Sequence, residues 1–207
     1  MSITPKSGKK TVSGWALTNG GGKMNLQIKL ISCLLHYPDE SLLEWLPSLR
    51  EVLNEIENVA DRDTYDQIIT YFETTSLIQL QEQYTETFDL NPSSCLNLTY
   101  HRWGDTEKRG PALVHLEEIY LKAGFQRIGS ELPDYLPLVL EFISERPDAA
   151  ISEIIPLYGE VVGTLAERLR QADHPYALLF EQLVDILGSY EVTVVSQAEA
   201  MNPKVLF

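Results

Sequence analysis

Apolar side chains recur at intervals of three and four residues along most of the chain between Leu26 and Ile186. This spacing places them on one face of an α-helix, and it differs from the alternation that is typical of strands. Proline, glycine or polar runs close each stretch, as at Tyr37-Pro38, because the residue before proline disfavours the α conformation. The pattern predicts an all-α, single-domain helical bundle.

Helices are predicted where these stripes lie, at residues 26–34, 42–56, 65–72, 77–88, 113–123, 139–143, 154–169 and 179–186. We expect Asp105 to cap the helix that follows it, and Gly124 to end that helix in a left-handed conformation. Pro175 is expected in the first position of the last helix. Residues 190–195 are weakly β-like and have no partner strand in the sequence, so they are predicted to form a tail.

Two terminal segments are set apart from the helical domain, which is predicted at residues 24–188. Residues 1–23 are rich in Gly, Ser, Thr and Lys, and Gly20-Gly21-Gly22 predicts a flexible joint. We interpret them as a flexible basic leader or tag, with Met24 as a possible natural start. A basic tail that folds back onto the acidic body is the alternative. Residues 189–207 are predicted to be a C-terminal tail.

The charge of the chain is unevenly distributed. Residues 1–23 carry four lysines and no acidic residue, whereas the remainder carries 12 basic and 30 acidic side chains, a net charge of −18. A body this acidic repels phosphate backbones, which argues against nucleic-acid binding, and it attracts cationic partners such as a basic peptide. The alternative is that the acidic residues only keep a helical protein soluble.

Features of membrane and secreted proteins do not occur in the sequence. No apolar run approaches the roughly 20 residues that span a bilayer, and residues 1–23 lack the apolar core of a secretory signal. The two cysteines, Cys33 and Cys95, lie among apolar neighbours and are predicted to be buried, reduced thiols. We therefore predict a cytoplasmic protein without direct membrane insertion.

Catalytic and metal-binding patterns are also missing from the sequence. No two of the four histidines stand three to five residues apart, and no HExxH or Glu-x-x-His pair occurs. Gly20-Gly21-Gly22-Lys23 lacks the spacing of a phosphate-binding loop, and no nucleophile elbow is present. His115 is interpreted as an ordinary hydrogen-bonded helix residue. We predict no catalytic residue, no metal site and no cofactor.

Two polar segments that contain Pro or Gly remain as candidates for recognition. His101-Arg102-Trp103-Gly104-Asp105 follows a stretch with few apolar helix positions, and Glu131-Leu132-Pro133-Asp134-Tyr135 carries two carboxylates next to a predicted helix start. Loops on a rigid helical scaffold commonly present binding groups. The second segment is either an acidic lip for a positively charged ligand or a capped, rigid turn. The first either binds a partner or fills the core through Trp103.

Three blocks in this order resemble the assembly chaperones of respiratory nitrate reductase, the NarJ branch of the TorD-like redox-enzyme maturation chaperones. The blocks are QYTETFD at residues 83–89, HRWGDTEKRG at 101–110 and ELPDYLPLVLEF at 131–142, and LHYPD at 35–39 adds to them. The resemblance extends from about residue 24 to residue 187. It implies an all-α bundle of the TorD-like type that acts as a chaperone and not as an enzyme.

The resemblance further implies a partner, the catalytic α subunit of nitrate reductase, bound through its N-terminal peptide. The chaperone would hold that subunit in the cytoplasm until the molybdenum cofactor is inserted, before docking at the membrane. A TorD-like chaperone for another molybdoenzyme or for a twin-arginine signal peptide is the first alternative. A helical enzyme that hydrolyses a nucleotide is the second. The oligomeric state is expected to be a monomer or a weak homodimer.

The family's motif residues define the partner-binding residues that the resemblance implies. We expect the peptide groove beside the turn that begins at Glu131, with the peptide bound as a helix by apolar anchors and charged flanks. Many relatives have histidine where Tyr135 stands, so an imidazole role is not available here. The implied residues are Tyr84, Asp89, Arg102, Gly104, Asp105, Arg109, Gly110, Glu131, Pro133, Asp134 and Tyr135.

Overall fold

The computed structural model describes residues 2–5, 23–147 and 153–201, and the predicted joint at Gly20-Gly21-Gly22 lies outside these ranges. The predicted all-α class is confirmed, since helices make up most of the described chain. They are α1 (Lys23–Leu34), α2 (Glu40–Val52), α3 (Val59–Thr74), α4 (Leu77–Tyr84), α5 (Leu98–Trp103), α6 (Arg109–Lys122), α7 (Leu136–Glu145), α8 (Ile155–Gln171) and α9 (Ala177–Met201). Among the described residues, no helix is both long enough and apolar enough to cross a bilayer.

The core is organised around α7, which packs most extensively on α1, while α8 packs on α9. Every residue from 136 to 144 is buried, because α7 is apolar on almost all sides. The buried hydroxyl of Ser32 on α1 donates to the Pro137 carbonyl (2.7 Å), which satisfies both groups. The helix that follows the Glu131–Tyr135 turn is therefore the most deeply buried element near that turn.

Two short strands, which were not predicted, form a small antiparallel sheet. β1 (Ser2–Pro5) pairs with β2 (Phe125–Ile128), with Ser2 opposite Ile128 and Pro5 opposite Phe125. Four residues carry too little alternation to be distinguished from a loop in the sequence. Gly124, at φ +86°, ends the chain's path along α6 as predicted, and the buried Phe125 then begins β2. β1 lies within the segment for which a flexible leader was predicted.

The weakly β-like character predicted for residues 190–195 is wrong, because α9 continues through Gly188 to Met201. Residues 202–207 of the predicted C-terminal tail lie outside the described residues. The Tyr190 hydroxyl donates to Asn25 Oδ1 (2.8 Å), which fixes this part of α9 to the start of α1. At its other end α9 begins at Ala177, so Pro175 lies in the preceding turn and not at the first helical position.

Asp105 does not cap α6, contrary to the prediction. The helix begins at Arg109, and the Asp105 side chain is 85% exposed. The backbone N–H of Thr106 donates to the Trp103 carbonyl (3.2 Å), and that of Arg109 donates to the Thr106 carbonyl (3.0 Å). These two turns separate Asp105 from the first turn of α6. Asp39, in contrast, caps α2 by accepting from the Leu42 N–H (2.8 Å), which agrees with the acidic helix opening in the sequence.

Candidate partner-binding site

The two polar segments that the sequence singled out meet in one corner of the molecule. The Leu98 N–H donates to the Asp134 carbonyl (3.0 Å), and the Leu136 N–H donates to the Leu96 carbonyl (2.8 Å). Between these bonds Asn97 and Tyr135 form an antiparallel bridge. The start of α5 and the start of α7 are therefore joined through their backbones, and we call this junction the corner (residues 96–99 and 133–136).

Asp134 is at the centre of the corner and is completely buried. Its carboxylate accepts hydrogen bonds from Asn97 Nδ2 (3.0 Å), from the Thr99 N–H (3.1 Å) and from the Thr99 hydroxyl. The Arg109 guanidinium lies 3.6 Å away. A buried carboxylate needs this number of donors and a cation, because removing it from water is otherwise too costly. Asp134 thus caps α5 from another segment and is not accessible to a ligand.

Arg109 connects the corner to α6. Its Nε donates to the Thr99 hydroxyl oxygen (3.1 Å), and its guanidinium lies over the Tyr100 ring at 5.5 Å. Asp105 is 4.0 Å from the same guanidinium, and because its carboxylate is exposed this pair contributes little. Gly110 is the next residue of α6 and is exposed. Arg109 therefore contacts both Asp105 and Asp134, and the three residues form one group of charged side chains.

Arg102 joins α5 to α8, and Gly104 ends α5. Gly104 ends α5 at φ +54°, a conformation that side chains disfavour, and its N–H donates to the Tyr100 carbonyl (2.7 Å). The exposed Arg102 donates to the Leu157 carbonyl (2.6 Å) and lies over the half-buried Trp103 ring at 5.2 Å. The bond from Arg102 is directed to α8 and the other contacts lie within α5, so none of these contacts involves Tyr84 or Tyr135.

Tyr84 and Tyr135 form a hydroxyl pair beside the corner, with their oxygens 2.8 Å apart. The Tyr84 hydroxyl donates to the Leu35 carbonyl (3.0 Å), so the Tyr135 hydroxyl is the donor to Tyr84. This chain of bonds links the end of α4, the residue after α1 and the start of α7. Three of the sequence blocks that carried the family resemblance therefore meet at this pair.

The charged groups that act on this pair are carboxylates. Burial, together with the carboxylates of Glu131 and Asp89, raises the pKa of Tyr135 to about 12. Burial also raises the pKa of Tyr84, and Asp89 contributes to that shift as well. Asp89 is exposed and Glu131 is half-buried. The surface around the two hydroxyls is consequently negative.

Exposed apolar side chains stand next to these acidic residues. Leu90, which follows Asp89, is 73% exposed, and Leu132, which follows Glu131, is 41% exposed. The Tyr37 ring, 45% exposed, meets the Tyr84 ring edge to face at 5.4 Å. We call this surface, together with the buried Tyr84 beneath it, the tyrosine face (Tyr37, Tyr84, Asp89, Leu90, Glu131, Leu132 and Tyr135). Sequence reasoning missed Tyr37, Leu90 and Leu132 as site residues, because their exposure depends on how the blocks pack together.

The backbone below Glu131 is held firmly. Arg127 donates to the Glu131 carbonyl and forms an ion pair with Glu117. The next fixed point is Pro133, which is buried and whose carbonyl accepts from the Tyr120 hydroxyl (2.7 Å). The Glu131 side chain therefore projects from a rigid backbone. Such preorganisation lowers the entropy lost when a partner binds.

Three of the histidines show no metal-binding arrangement. Burial lowers the pKa of His36 to about 4, and its ring meets that of Tyr135 at 6.1 Å. His101 Nε2 donates to the Cys95 carbonyl (2.7 Å), and burial lowers its pKa. His115 is exposed on α6. Within the described ranges, no three metal-ligating side chains come together. Cys33 is buried as predicted, whereas Cys95 is only half-buried.

Comparisons with known proteins identify the relatives of this chain. A sequence model of the family described as "Nitrate reductase delta subunit" matches residues 39–182. The probable nitrate reductase molybdenum cofactor assembly chaperone NarJ of Bacillus subtilis is 36% identical over 78% of this chain and 88% of its own length. The nitrate reductase molybdenum cofactor assembly chaperone NarJ of Escherichia coli K12 is 31% identical, over 79% of this chain and 70% of its own.

A solved structure supports the fold. The crystal structure of a putative redox enzyme maturation protein from Archaeoglobus fulgidus matches 81% of this chain and 95% of its own, with a TM-score of 0.62 and 24% identity. The predicted bundle of the TorD-like type is thus confirmed. The relatives are assembly chaperones, which also confirms the prediction that the protein is not an enzyme. The chain belongs to the nitrate reductase delta subunit family.

Proposed function

We propose that the protein is an assembly chaperone of a nitrate reductase, which binds the catalytic α subunit in the cytoplasm and assists insertion of the molybdenum cofactor. The names of the relatives support the chaperone class and the enzyme that it serves. We further propose that the bound segment is the N-terminal peptide of the α subunit, and that the tyrosine face is where it binds.

One observation carries this proposal: exposed apolar side chains stand beside carboxylates over a rigid base. Leu90, Leu132 and Tyr37 offer apolar contacts, and Asp89 and Glu131 offer negative charge. A peptide with apolar anchors and basic flanks complements this combination. The net charge of −18 outside residues 1–23 adds a long-range attraction for the same kind of peptide.

The predicted site residues fall into two groups in this proposal. Asp89, Glu131 and Tyr135 lie on the tyrosine face and are proposed to contact the peptide. Tyr84 supports the face from below. The remaining residues lie outside the face. Arg102, Gly104, Arg109, Pro133 and Asp134 are proposed to hold the corner, α5 and α6 in place, whereas Asp105 and Gly110 are exposed beside them.

Isothermal titration with the α-subunit N-terminal peptide tests the proposal. We expect binding in the micromolar range that weakens as salt rises, since exposed charges are screened. The double variant Asp89→Asn/Glu131→Gln should bind several-fold more weakly and with a smaller dependence on salt. The control Asp63→Asn/Asp185→Asn removes two exposed charges from α3 and α9 and should bind like the unmodified protein.

Two outcomes would contradict the proposal. Absence of any binding heat would argue against the peptide as the bound segment. Equal losses in the double variant and in the control would argue against the tyrosine face as the site. A twin-arginine signal peptide that competes more strongly than the α-subunit peptide would favour the alternative, a chaperone of the same fold that serves another enzyme.

A further inference from the structure

We propose that the Tyr37 ring is the receptor for one cationic side chain, an arginine or a lysine, of the bound segment. This inference rests on the proposed function, because it assigns one contact within the tyrosine face. It adds a residue that was not among the predicted site residues, and it specifies the chemistry of the partner group.

Tyr37 differs from the other tyrosines in its exposure. The chain has ten tyrosines, all within the part whose side chains the structure describes, and the other nine are buried or half-buried. Tyr37 is 45% exposed. Aromatic rings are large and apolar, so a tyrosine held at the surface over a rigid base is a candidate contact for a partner.

Two half-buried rings of the chain are covered by an arginine side chain, and the Tyr37 ring is not. The Tyr100 ring is covered by Arg109 at 5.5 Å, and the Trp103 ring by Arg102 at 5.2 Å. In the described structure no arginine or lysine lies over Tyr37 in this way. Among the described residues, an arginine of the protein thus covers the Tyr100 and Trp103 rings, whereas none covers the Tyr37 ring. An external cation can occupy the position over the Tyr37 ring by the same interaction.

The ring is fixed before any partner binds. It meets the Tyr84 ring at an interplanar angle of 84°, and Tyr84 is itself held by its bonds to Leu35 and Tyr135. The following residue, Pro38, is buried, and its carbonyl accepts from Gln81 Nε2 (3.0 Å). Little conformational freedom remains to be lost, which favours binding.

Carboxylates close to Tyr37 in the chain have the sign that a cation requires. Asp39 and Glu40 lie two and three residues after it in the chain, and both are exposed. Asp89 acts on the pKa of Tyr84, whose ring is in contact with that of Tyr37. A cation above the ring would therefore meet the negative face of the aromatic system and neighbouring carboxylates together. An anionic or neutral side chain would gain neither contribution.

The test compares Tyr37→Leu with Tyr37→Phe in titrations with the α-subunit N-terminal peptide and with peptides in which each arginine or lysine is replaced in turn by neutral citrulline or glutamine. Tyr37→Leu should weaken binding by about two- to fivefold, the range for a cation above an exposed ring. Tyr37→Phe should keep most of the affinity, because phenylalanine retains the ring.

The decisive result is a coupling. One neutralised position of the peptide should weaken binding to the unmodified protein but not to Tyr37→Leu, since both changes remove the same interaction. If the peptide binds normally and no position shows this coupling, the cation receptor is wrong while the proposed function stands. If the peptide does not bind at all, both proposals fail. Equal affinities for Leu and Phe variants would show that Tyr37 serves only as an apolar contact, which also overturns the inference.

Discussion

The corner and the tyrosine face lie next to each other, but their carboxylates differ in burial and in hydrogen bonding. At the corner, the carboxylate of Asp134 is buried and bound to donors from Asn97, Thr99 and Arg109. On the tyrosine face, the carboxylates of Asp89 and Glu131 are exposed or half-exposed and no described cation pairs with them. Internal satisfaction indicates a structural role, whereas free charge beside apolar surface indicates a role in binding.

The largest expected effect is on stability, at the centre of the corner. Asp134→Ala leaves the buried donors of Thr99 and Asn97 without an acceptor and Arg109 without its buried partner. We expect the free energy of unfolding to fall by about 3 kcal/mol or more. Urea unfolding followed by circular dichroism measures this.

A matched control separates burial from charge. Asp105→Ala removes the exposed carboxylate near the same arginine, and it should cost about 0.5 kcal/mol or less. A similar loss in both variants would show that Asp134 is not the structural centre of the corner.

Beneath the tyrosine face, His36 should make stability depend on pH. Burial lowers its pKa in the folded protein to about 4 from an ordinary value of 6.5, so the unfolded chain binds a proton first as the pH falls. Its contribution should be constant above pH 6.5 and should decline between pH 6.5 and 4, by up to about 3 kcal/mol. His36→Gln should reduce this decline when unfolding is measured across that range. An unchanged pH profile in the variant would assign the decline to other groups.

Gly104 tests the backbone at the end of α5. A Cβ added there would meet no atom within 4 Å, so the cost of Gly104→Ala arises from its φ of +54° alone. We expect a loss of about 1–2 kcal/mol in the free energy of unfolding. Gly163→Ala, within α8 and also in open space, should instead gain up to about 1 kcal/mol because alanine favours the helix. Thermal unfolding of both variants gives the comparison, and losses of equal size would refute it.

The smallest expected effect on stability belongs to the tyrosine face itself. Asp89→Asn/Glu131→Gln should change the free energy of unfolding by about 0.5 kcal/mol or less, because surface substitutions away from buried networks are nearly neutral. The same variant is expected to weaken peptide binding. A large loss of stability together with unchanged affinity would reverse the roles that we assign to the corner and the face.

Sequence patterns predicted most of the helices because each of them repeats apolar residues over several turns, as in α1, α2 and α8. The same reasoning missed α5, whose six residues contain too little periodicity. Its N-terminus is capped by Asp134, a residue far away in the sequence, and no local signal reports such a cap. β1 and β2 were missed because they depend on each other for their hydrogen bonds.

The candidate site was predicted in part. The motif blocks located Tyr84, Asp89, Glu131 and Tyr135, which the structure brings together. The blocks did not distinguish these residues of the face from the buried Asp134 and its partner Arg109. The type of a residue does not show whether its side chain is buried or exposed. Tyr37 lay within a block as well, and its exposure follows only from the contact between its loop and α4.

The junction of Asn97 with Tyr135 has a consequence for how the chain can change. The chain leaves this junction at α5 and returns to it after α6 and β2. The residues between Asn97 and Tyr135 therefore form a long loop whose two ends are held together by the bridge. Gly129 and Ser130, directly after β2, form an exposed bend within that stretch. Adding residues at the bend costs little entropy of loop closure, because this cost grows only slowly with the length of the loop. The loop can therefore accept inserted residues at this bend while Glu131 and Tyr135 keep their positions.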